Sequence, residues 1–362
     1  MEPLFSPGKE KLIVDLIQAK NRVVDRVERF TRPRRGAVRM VEGRLRHPGD
    51  KYCVFVFYQA ERVPQDFFHL FAALKSSGIN LIMVANALPP GGEAPLAGHC
   101  HTLMVRNNFG YDFGGFQAGV QFAQTLSPSR LLMLNDSVHF LEKGLVDYIA
   151  QLSADRPFIG ATESTQISPH VQSYAMSFGR DVLHSEAFRS FWANYRPMNE
   201  KRYTVFNGEL GLSAHLRSHG IVPHAIFSAA RLKGVLENRP VAELVAAFDL
   251  LSDEVKASHR QLLAKTQLTG DGGSLIGAIL DLLAVSNQVA VGGFLFARYL
   301  GMPFMKKDLV FHLYFRISEL AQKMRDAGIE ANSEEMVAWY RARGNAEGAS
   351  KWQQFRYRHM FA

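Results

Sequence analysis

Only two cysteines, Cys53 and Cys100, occur in 362 residues. One lies at the start of an apolar run and the other beside two histidines, so no disulfide framework is possible and a reducing compartment fits both. Long hydrophobic runs are missing as well. The uncharged stretch Leu282 to Ala297 carries Ser286, Asn287, Gln288 and a glycine pair, too short and too polar for a bilayer span. Near the N-terminus, Glu2, Lys9, Glu10, Lys11 and Asp15 interrupt the apolar core that a signal peptide needs, so export is not expected. There is no phosphate loop with its lysine, no GxGxxG dinucleotide fingerprint, no internal repeat and no low-complexity tract.

Apolar residues make up 47% and charged residues 21% of the chain, the proportions of a folded globular protein rather than a disordered or fibrous one. The length suits two average domains or one large α/β domain with attachments. A net charge of +8 is concentrated at the start, where basic residues outnumber acidic ones across the first fifty positions. Such a surplus suits an anionic surface, lipid headgroups or nucleic acid, or simply a solvated helix face followed by a basic linker.

In Lys11 to Phe30 the residues Leu12, Leu16, Val23, Val27 and Phe30 recur at helical spacing between basic residues, predicting an amphipathic helix. Thr31 to Asp50, with Pro33, Gly36, Pro48 and Gly49, reads as a linker, so residues 1–50 form a basic helix and linker. The body starts near Lys51. Apolar runs at Tyr52 to Tyr58, Asn80 to Ala85, Thr102 to Arg106, Arg130 to Leu134 and Pro157 to Ala161 alternate with helical patterns such as Pro64 to Ser77 and Phe113 to Leu126. Strand alternating with helix predicts a mostly parallel sheet with helices on both faces over residues 51–237. Residues 238–362 read as a helical region packed on that core.

Four clusters carry candidate chemistry. In Arg106-Asn107-Asn108-Phe109-Gly110-Tyr111-Asp112-Phe113-Gly114-Gly115, a strand runs through a glycine-rich polar turn into a helix, letting backbone N–H groups approach an anion or nucleotide. Asn135-Asp136-Ser137 sits at the end of a buried strand, where open α/β sheets bind ligands. Its carboxylate suits a divalent metal on a diphosphate, or else an Asx turn. The alternation in His170-Val171-Gln172-Ser173-Tyr174 sends His170, Gln172 and Tyr174 to one face of a strand, where they suit sugar hydroxyls or a buried polar network. In Phe206-Asn207-Gly208-Glu209-Leu210, Glu209 falls in the first turn of an amphipathic helix, whose dipole keeps a carboxylate ionised and able to act as a general base.

In this order and spacing the clusters resemble the rhamnan synthesis F family, which is similar to glycosyltransferases of the GT-A fold. The resemblance runs from about Tyr52 to Phe315 and includes Gly301-Met302-Pro303-Phe304-Met305-Lys306, similar to the family's closing Pro-Phe-x-Lys element. It implies a transferase of bacterial surface polysaccharide synthesis (O-antigen, lipopolysaccharide or capsule). The implied donor is a nucleoside-diphosphate sugar, deoxythymidine-diphosphate-rhamnose first, and the acceptor a saccharide or lipid-linked chain.

The same resemblance implies roles. Tyr58 would stack on the nucleobase, with Arg106, Asn107, Gly110, Tyr111, Asp112, Gly114, Asn135 and Ser137 around the donor nucleotide. His170, Gln172 and Tyr174 would hold sugar or acceptor. Glu209 would be the base of an inverting displacement, and Asp136 would stabilise the departing diphosphate, with magnesium or manganese if present. Val138 stands where a second carboxylate of an Asp-x-Asp motif would be, so a cation-free enzyme needs Lys or Arg instead, with Arg106, Arg202 and Arg231 as candidates. The expected location is the cytoplasm, at the inner face of the membrane if the basic N-terminus and the aromatic-basic segment Lys351 to Ala362 contact lipid. A catalytically silent scaffold is the main alternative. No nucleic-acid partner is expected, for want of any recognition motif, and His99-Cys100-His101 are adjacent residues that point apart rather than toward one zinc.

Overall fold

The computed structural model describes residues 38–165, 167–310, 314–329, 333–343 and 350, with positions 12, 15, 16, 19, 20, 23, 24, 26 and 27 in helical conformation. Leu12, Leu16, Val23 and Val27 of the expected amphipathic helix are exposed. Phe30, residues 31–37 of the expected linker and the segment 351–362 lie outside the described residues.

Eight strands form the path of the main sheet: β1 (Val38–Glu42), β2 (Lys51–Tyr58), β3 (Asn80–Ala87), β4 (Thr102–Arg106), β5 (Arg130–Asn135), β7 (Phe158–Ser164), β9 (Ala175–Gly179) and β10 (His224–Phe227). Their order is β1-β4-β3-β2-β5-β9-β7-β10, with β8 (His170–Val171) paired to β7 off that path. The β4, β3, β2 and β5 pairings are parallel, as is β7 with β10. β1 and β9 run against their neighbours. A separate ribbon joins β6 (Val138–Phe140) to β11 (Phe304–Lys306). The mostly parallel α/β class expected from the sequence is therefore what the chain adopts, with a helical C-terminal region.

β2 is central and buried on both faces, which is why Lys51–Tyr58 reads as an almost continuous apolar run. Its period of two divides the core. Cys53, Phe55 and Phe57 point into a cluster with Phe67, Leu70 and Phe71 of the helix Gln65–Ser76, whereas Tyr52, Val54 and Val56 meet Phe113, Phe116 and Val120 of the helix Tyr111–Thr125. The first cluster extends through Leu244, Phe248, Leu275, Phe294 and Tyr340, so the helices after residue 238 share the core of the sheet. Their own element β11 completes the ribbon with β6, register Lys306 opposite Val138.

Two expectations are corrected here. Residues 38–42 are not linker: they pair antiparallel with β4, Val38 opposite Arg106, and so cover an edge that would otherwise expose unpaired backbone groups. The stretch His170 to Tyr174 is not one strand, because pairing with β7 stops at Val171 and β9 begins at Ala175.

The helix Tyr111–Thr125 lies unusually close to the sheet. A Cβ on Gly119 would sit 2.4 Å from Val54 Cγ1 and 3.2 Å from Val84 Cγ2, nearer than packed carbon atoms approach. Gly119→Val should therefore destabilise the protein by about 1–3 kcal/mol or more through overpacking, read as a fall in the urea midpoint. Val54→Ala in the same chain should restore part of the loss, and additivity of the two changes would contradict this packing.

Candidate active site

The carboxyl ends of β2, β3, β5 and β7 open onto a cavity of about 540 Å³. It is lined there by Val56, Phe57, Tyr58, Asn86, Asn135 and Ser164. That edge is where parallel α/β sheets present ligand sites, and the volume falls within the roughly 300–1,000 Å³ usual for small-molecule pockets.

A turn after β5 organises the site. Asn135 Oδ1 accepts hydrogen bonds from Ser137 N at 3.0 Å and Ser137 Oγ at 2.6 Å, an Asx turn, while Asn135 Nδ2 donates to Asp112 Oδ2 at 2.9 Å. Asp136 Oδ2 accepts from Tyr58 N at 3.0 Å and Gln59 Nε2 at 2.7 Å. Asp136 thus ties down the end of β2 and leaves Tyr58 half exposed at the cavity. Burial raises the Asp136 pKa above the ordinary carboxylate value, with the Lys307 ammonium pulling the other way.

Asp112 enters through a strained turn. Gly110 and Tyr111 both have left-handed backbone, φ 78° and 52°, a conformation that glycine tolerates and tyrosine rarely adopts. The Gly110 N–H donates to Asn199 Oδ1 at 2.8 Å, and Asn86 Nδ2 donates to Tyr111 O at 3.2 Å. Burial and the nearby Glu209 push the Asp112 pKa up to about 6.

Glu209 is tuned in the opposite direction. Its Oε2 accepts from Ser173 N at 2.7 Å and Ser173 Oγ at 2.6 Å, and His170 Nε2 lies 3.4 Å from Oε1. Burial alone would raise its pKa, but these donors outweigh it and hold the carboxyl below the usual range. Burial lowers the His170 pKa, yet Glu209 and the Ser168 carbonyl, 2.7 Å from Nδ1, raise it on balance. Glu209 does not stand at a helix start as the sequence suggested. A helical turn at Lys201–Tyr203, a π-helical turn at Thr204–Glu209 and the α-helix Leu210–Ser218 follow without a break. Its ionisation therefore comes from His170 and Ser173 rather than from a free helix terminus. Gly208 in the π-turn packs against Phe113, where a Cβ would fall 2.7 Å from the ring.

The cavity brings together Tyr58, Tyr111, Asp112, Asn135, Asp136, Ser137, His170, Gln172, Tyr174 and Glu209. Arg106, Asn107, Gly110 and Gly114, expected at the donor, do not line it. The Arg106 guanidinium is buried on Asn86 Oδ1 at 2.6 Å and Phe109 O at 2.7 Å, and a Cβ on Gly114 would meet Phe109 O at 2.1 Å. These residues shape the turn. Gln172 and Tyr174 both bond Thr162 Oγ1, so their polar ends belong in part to a buried network.

Lys201, Ser173, Lys306, Asp308 and Tyr314 also line the cavity and were not singled out as site residues. Ser173 lay inside the His170 to Tyr174 cluster and Lys306 at the end of the Pro-Phe-x-Lys element; the others had no signal. His99, Cys100 and His101 face separate surroundings. His99 packs on Phe68 and Phe71, His101 on Tyr52, and burial pushes the Cys100 thiol up to about 12.

The sequence from residue 81 to 263 matches the rhamnan synthesis protein F family. The chain belongs to that family. Among proteins similar to this rhamnan synthesis F chain is an uncharacterised protein, y4gN, of Sinorhizobium fredii, 25% identical over 58% of this chain and 57% of its own length. Another is the virulence protein VirA of Vibrio anguillarum, 29% identical over 41% of this chain and 49% of its own. The chain thus spans about half the length of the curated relatives it matches. A glycosyltransferase involved in glycosylation of the major capsid of PBCV-1 is 15% identical with a TM-score of 0.28, covering 48% of this chain and 82% of that one.

Among the described residues no cage of protein ligands surrounds Asp136. Both hydrogen bonds accepted by Asp136 fall on Oδ2, the Lys307 ammonium adds positive charge nearby, and no group of three His, Cys, Asp or Glu suited to a metal occurs among the described residues. No described helix is long and apolar enough to cross a membrane.

A raised carboxyl pKa is a cost to the folded state that disappears on protonation. With a folded value of about 6 against an ordinary 3.8, Asp112 penalises folding above pH 6 and progressively less as pH falls from 6 toward 4. Asp112→Asn should raise the melting temperature at pH 7.5, and the gain should shrink toward pH 4.5. A gain independent of pH would contradict the burial of this charge.

Proposed function

We propose that this chain is a nucleotide-sugar-dependent glycosyltransferase of bacterial surface polysaccharide synthesis. A nucleoside-diphosphate rhamnose is the first donor to test, on the strength of the family description. The observation that carries the reading is the pairing, in one cavity at the carboxyl edge of the sheet, of two carboxylates tuned apart: Asp112 with a pKa near neutrality and Glu209 held ionised. Environments that separate the pKa values of neighbouring groups assign acid–base roles.

In this reading the exposed Tyr58 ring receives the nucleobase by stacking, and His170 and Gln172 meet sugar hydroxyls. The acceptor hydroxyl oxygen attacks the anomeric carbon. The bond from that carbon to the diphosphate oxygen breaks, its electron pair leaves with the diphosphate, and the configuration inverts. The acceptor proton passes to a carboxylate. Asp112 suits this task better than Glu209, since a base works best with a pKa near the working pH and Glu209 is stabilised as the anion by Ser173 and His170. Glu209 then positions His170 and sets positive charge on that side of the cavity.

The test is release of nucleoside diphosphate from a panel of nucleotide sugars with saccharide acceptors. The rate should fall as pH is lowered through about 6, where Asp112 takes up its proton. Asp112→Asn should cost about 100-fold or more in turnover and abolish that acidic limb. Glu209→Gln should also lower turnover, and the limb should remain. A limb that survives in Asp112→Asn and vanishes in Glu209→Gln assigns the base to Glu209. Release from no nucleotide sugar would favour a silent scaffold.

A further inference from the structure

A departing diphosphate needs positive charge beside it, and none of the three arginines expected to supply it lines the cavity. Arg106 is consumed by Asn86 and Phe109, Arg231 by the Ile226 carbonyl, and the Arg202 guanidinium lies 5.8 Å from the centre of the Phe206 ring. Two lysines from distant parts of the chain line it instead, Lys201 and Lys306. Lys201 opens the helical run that leads to Glu209, and Lys306 ends β11, where pairing with Val138 holds it beside the turn after β5.

Among the described residues neither ammonium has a carboxylate within 4 Å. Lys306 Nζ lies 5.2 Å from the centre of the Tyr174 ring, and the two lysines repel one another while Asp308 and Asp112 attract Lys201. The remaining acids are engaged elsewhere: Glu209 has His170, and Asp136 accepts from Tyr58 N and Gln59 Nε2. Two like charges kept in one cavity without close counterions are relieved by an anion that touches both.

We propose that Lys201 and Lys306 bind the diphosphate of the donor and neutralise the charge that develops on it, in place of a divalent cation held at Asp136. This rests on the transferase reading above. As the anomeric carbon–oxygen bond breaks, its electron pair adds one negative charge to the diphosphate, which both ammonium groups stabilise without giving up a proton. The acceptor proton still goes to the carboxylate.

Titration calorimetry of the full chain in EDTA tests this with deoxythymidine diphosphate, thymidine and inorganic pyrophosphate. The diphosphate should bind without metal. Lys201→Met and Lys306→Met should each weaken it by about tenfold or more, the loss of a charge-assisted contact, and leave thymidine affinity within about twofold. Lys306→Arg should keep most of the binding. Melting curves establish that the variants are folded, and both sites suit this, Lys201 being exposed and Lys306 only partly buried.

Diphosphate binding that disappears in EDTA and returns with magnesium or manganese would overturn the inference, as would methionine variants that bind like the wild type. Failure of the transferase reading looks different. If no nucleotide binds in any buffer, pyrophosphate decides for the lysines alone: lysine-dependent binding in EDTA upholds the anion site, and no binding removes it.

Discussion

The hydrogen-bonded turn at Asn135-Asp136-Ser137 is the constraint on which the site depends. One side chain, Asn135, closes the turn through Ser137 and reaches Asp112; the next, Asp136, seizes the end of β2 through Tyr58 N and Gln59 Nε2. β2, β5 and the first turn of the helix Tyr111–Thr125 are thereby fixed to one another where their ends meet. Ser137 extends the connection, since its carbonyl accepts from Lys307 N at 3.0 Å and so anchors β11 beside the turn. A loop that bonds its neighbours this fully holds side chains to the tolerance that chemistry requires.

The charged groups around this turn differ in how far they are neutralised: Glu209 has His170 at hand, whereas Lys201 and Lys306 have no carboxylate within 4 Å among the described residues. His170 answers Glu209, while burial and the like charge of Glu209 raise the Asp112 pKa against the Phe113 N–H and the Lys306 ammonium, which lower it. The same burial that destabilises ionised Asp112 makes it a competent base near neutrality. Burial of this charge gives up stability, as is common where side chains have perturbed pKa values.

The strands Tyr52 to Tyr58, Thr102 to Arg106 and Arg130 to Leu134 were legible because parallel strands buried on both faces must be continuously apolar. β1 and β11 were not. Val38–Glu42 is a half-exposed edge with charged residues within it, and Phe304–Lys306 spans three residues whose partner lies far away in the chain. At the site, Asp112, Asp136, His170 and Glu209 stood out as polar residues at strand ends and turns. Arg106 misled for a physical reason: its guanidinium satisfies a buried amide and a turn carbonyl, an environment no local pattern distinguishes from a ligand site. Lys201 carried no local signal, because only closure of the fold brings it toward Lys306 and Asp112.

The most direct test of the central claim is a thermal-stabilisation screen of the whole chain against nucleoside diphosphates and nucleotide sugars, each in EDTA and with magnesium or manganese. A ligand bound only by the folded state raises the melting temperature in proportion to its concentration over Kd. The account predicts a rise with at least one nucleoside-diphosphate sugar, present in EDTA and lost in Asp136→Ala, whose β2 end is no longer held at the cavity. A flat response to every nucleotide in every buffer would contradict it.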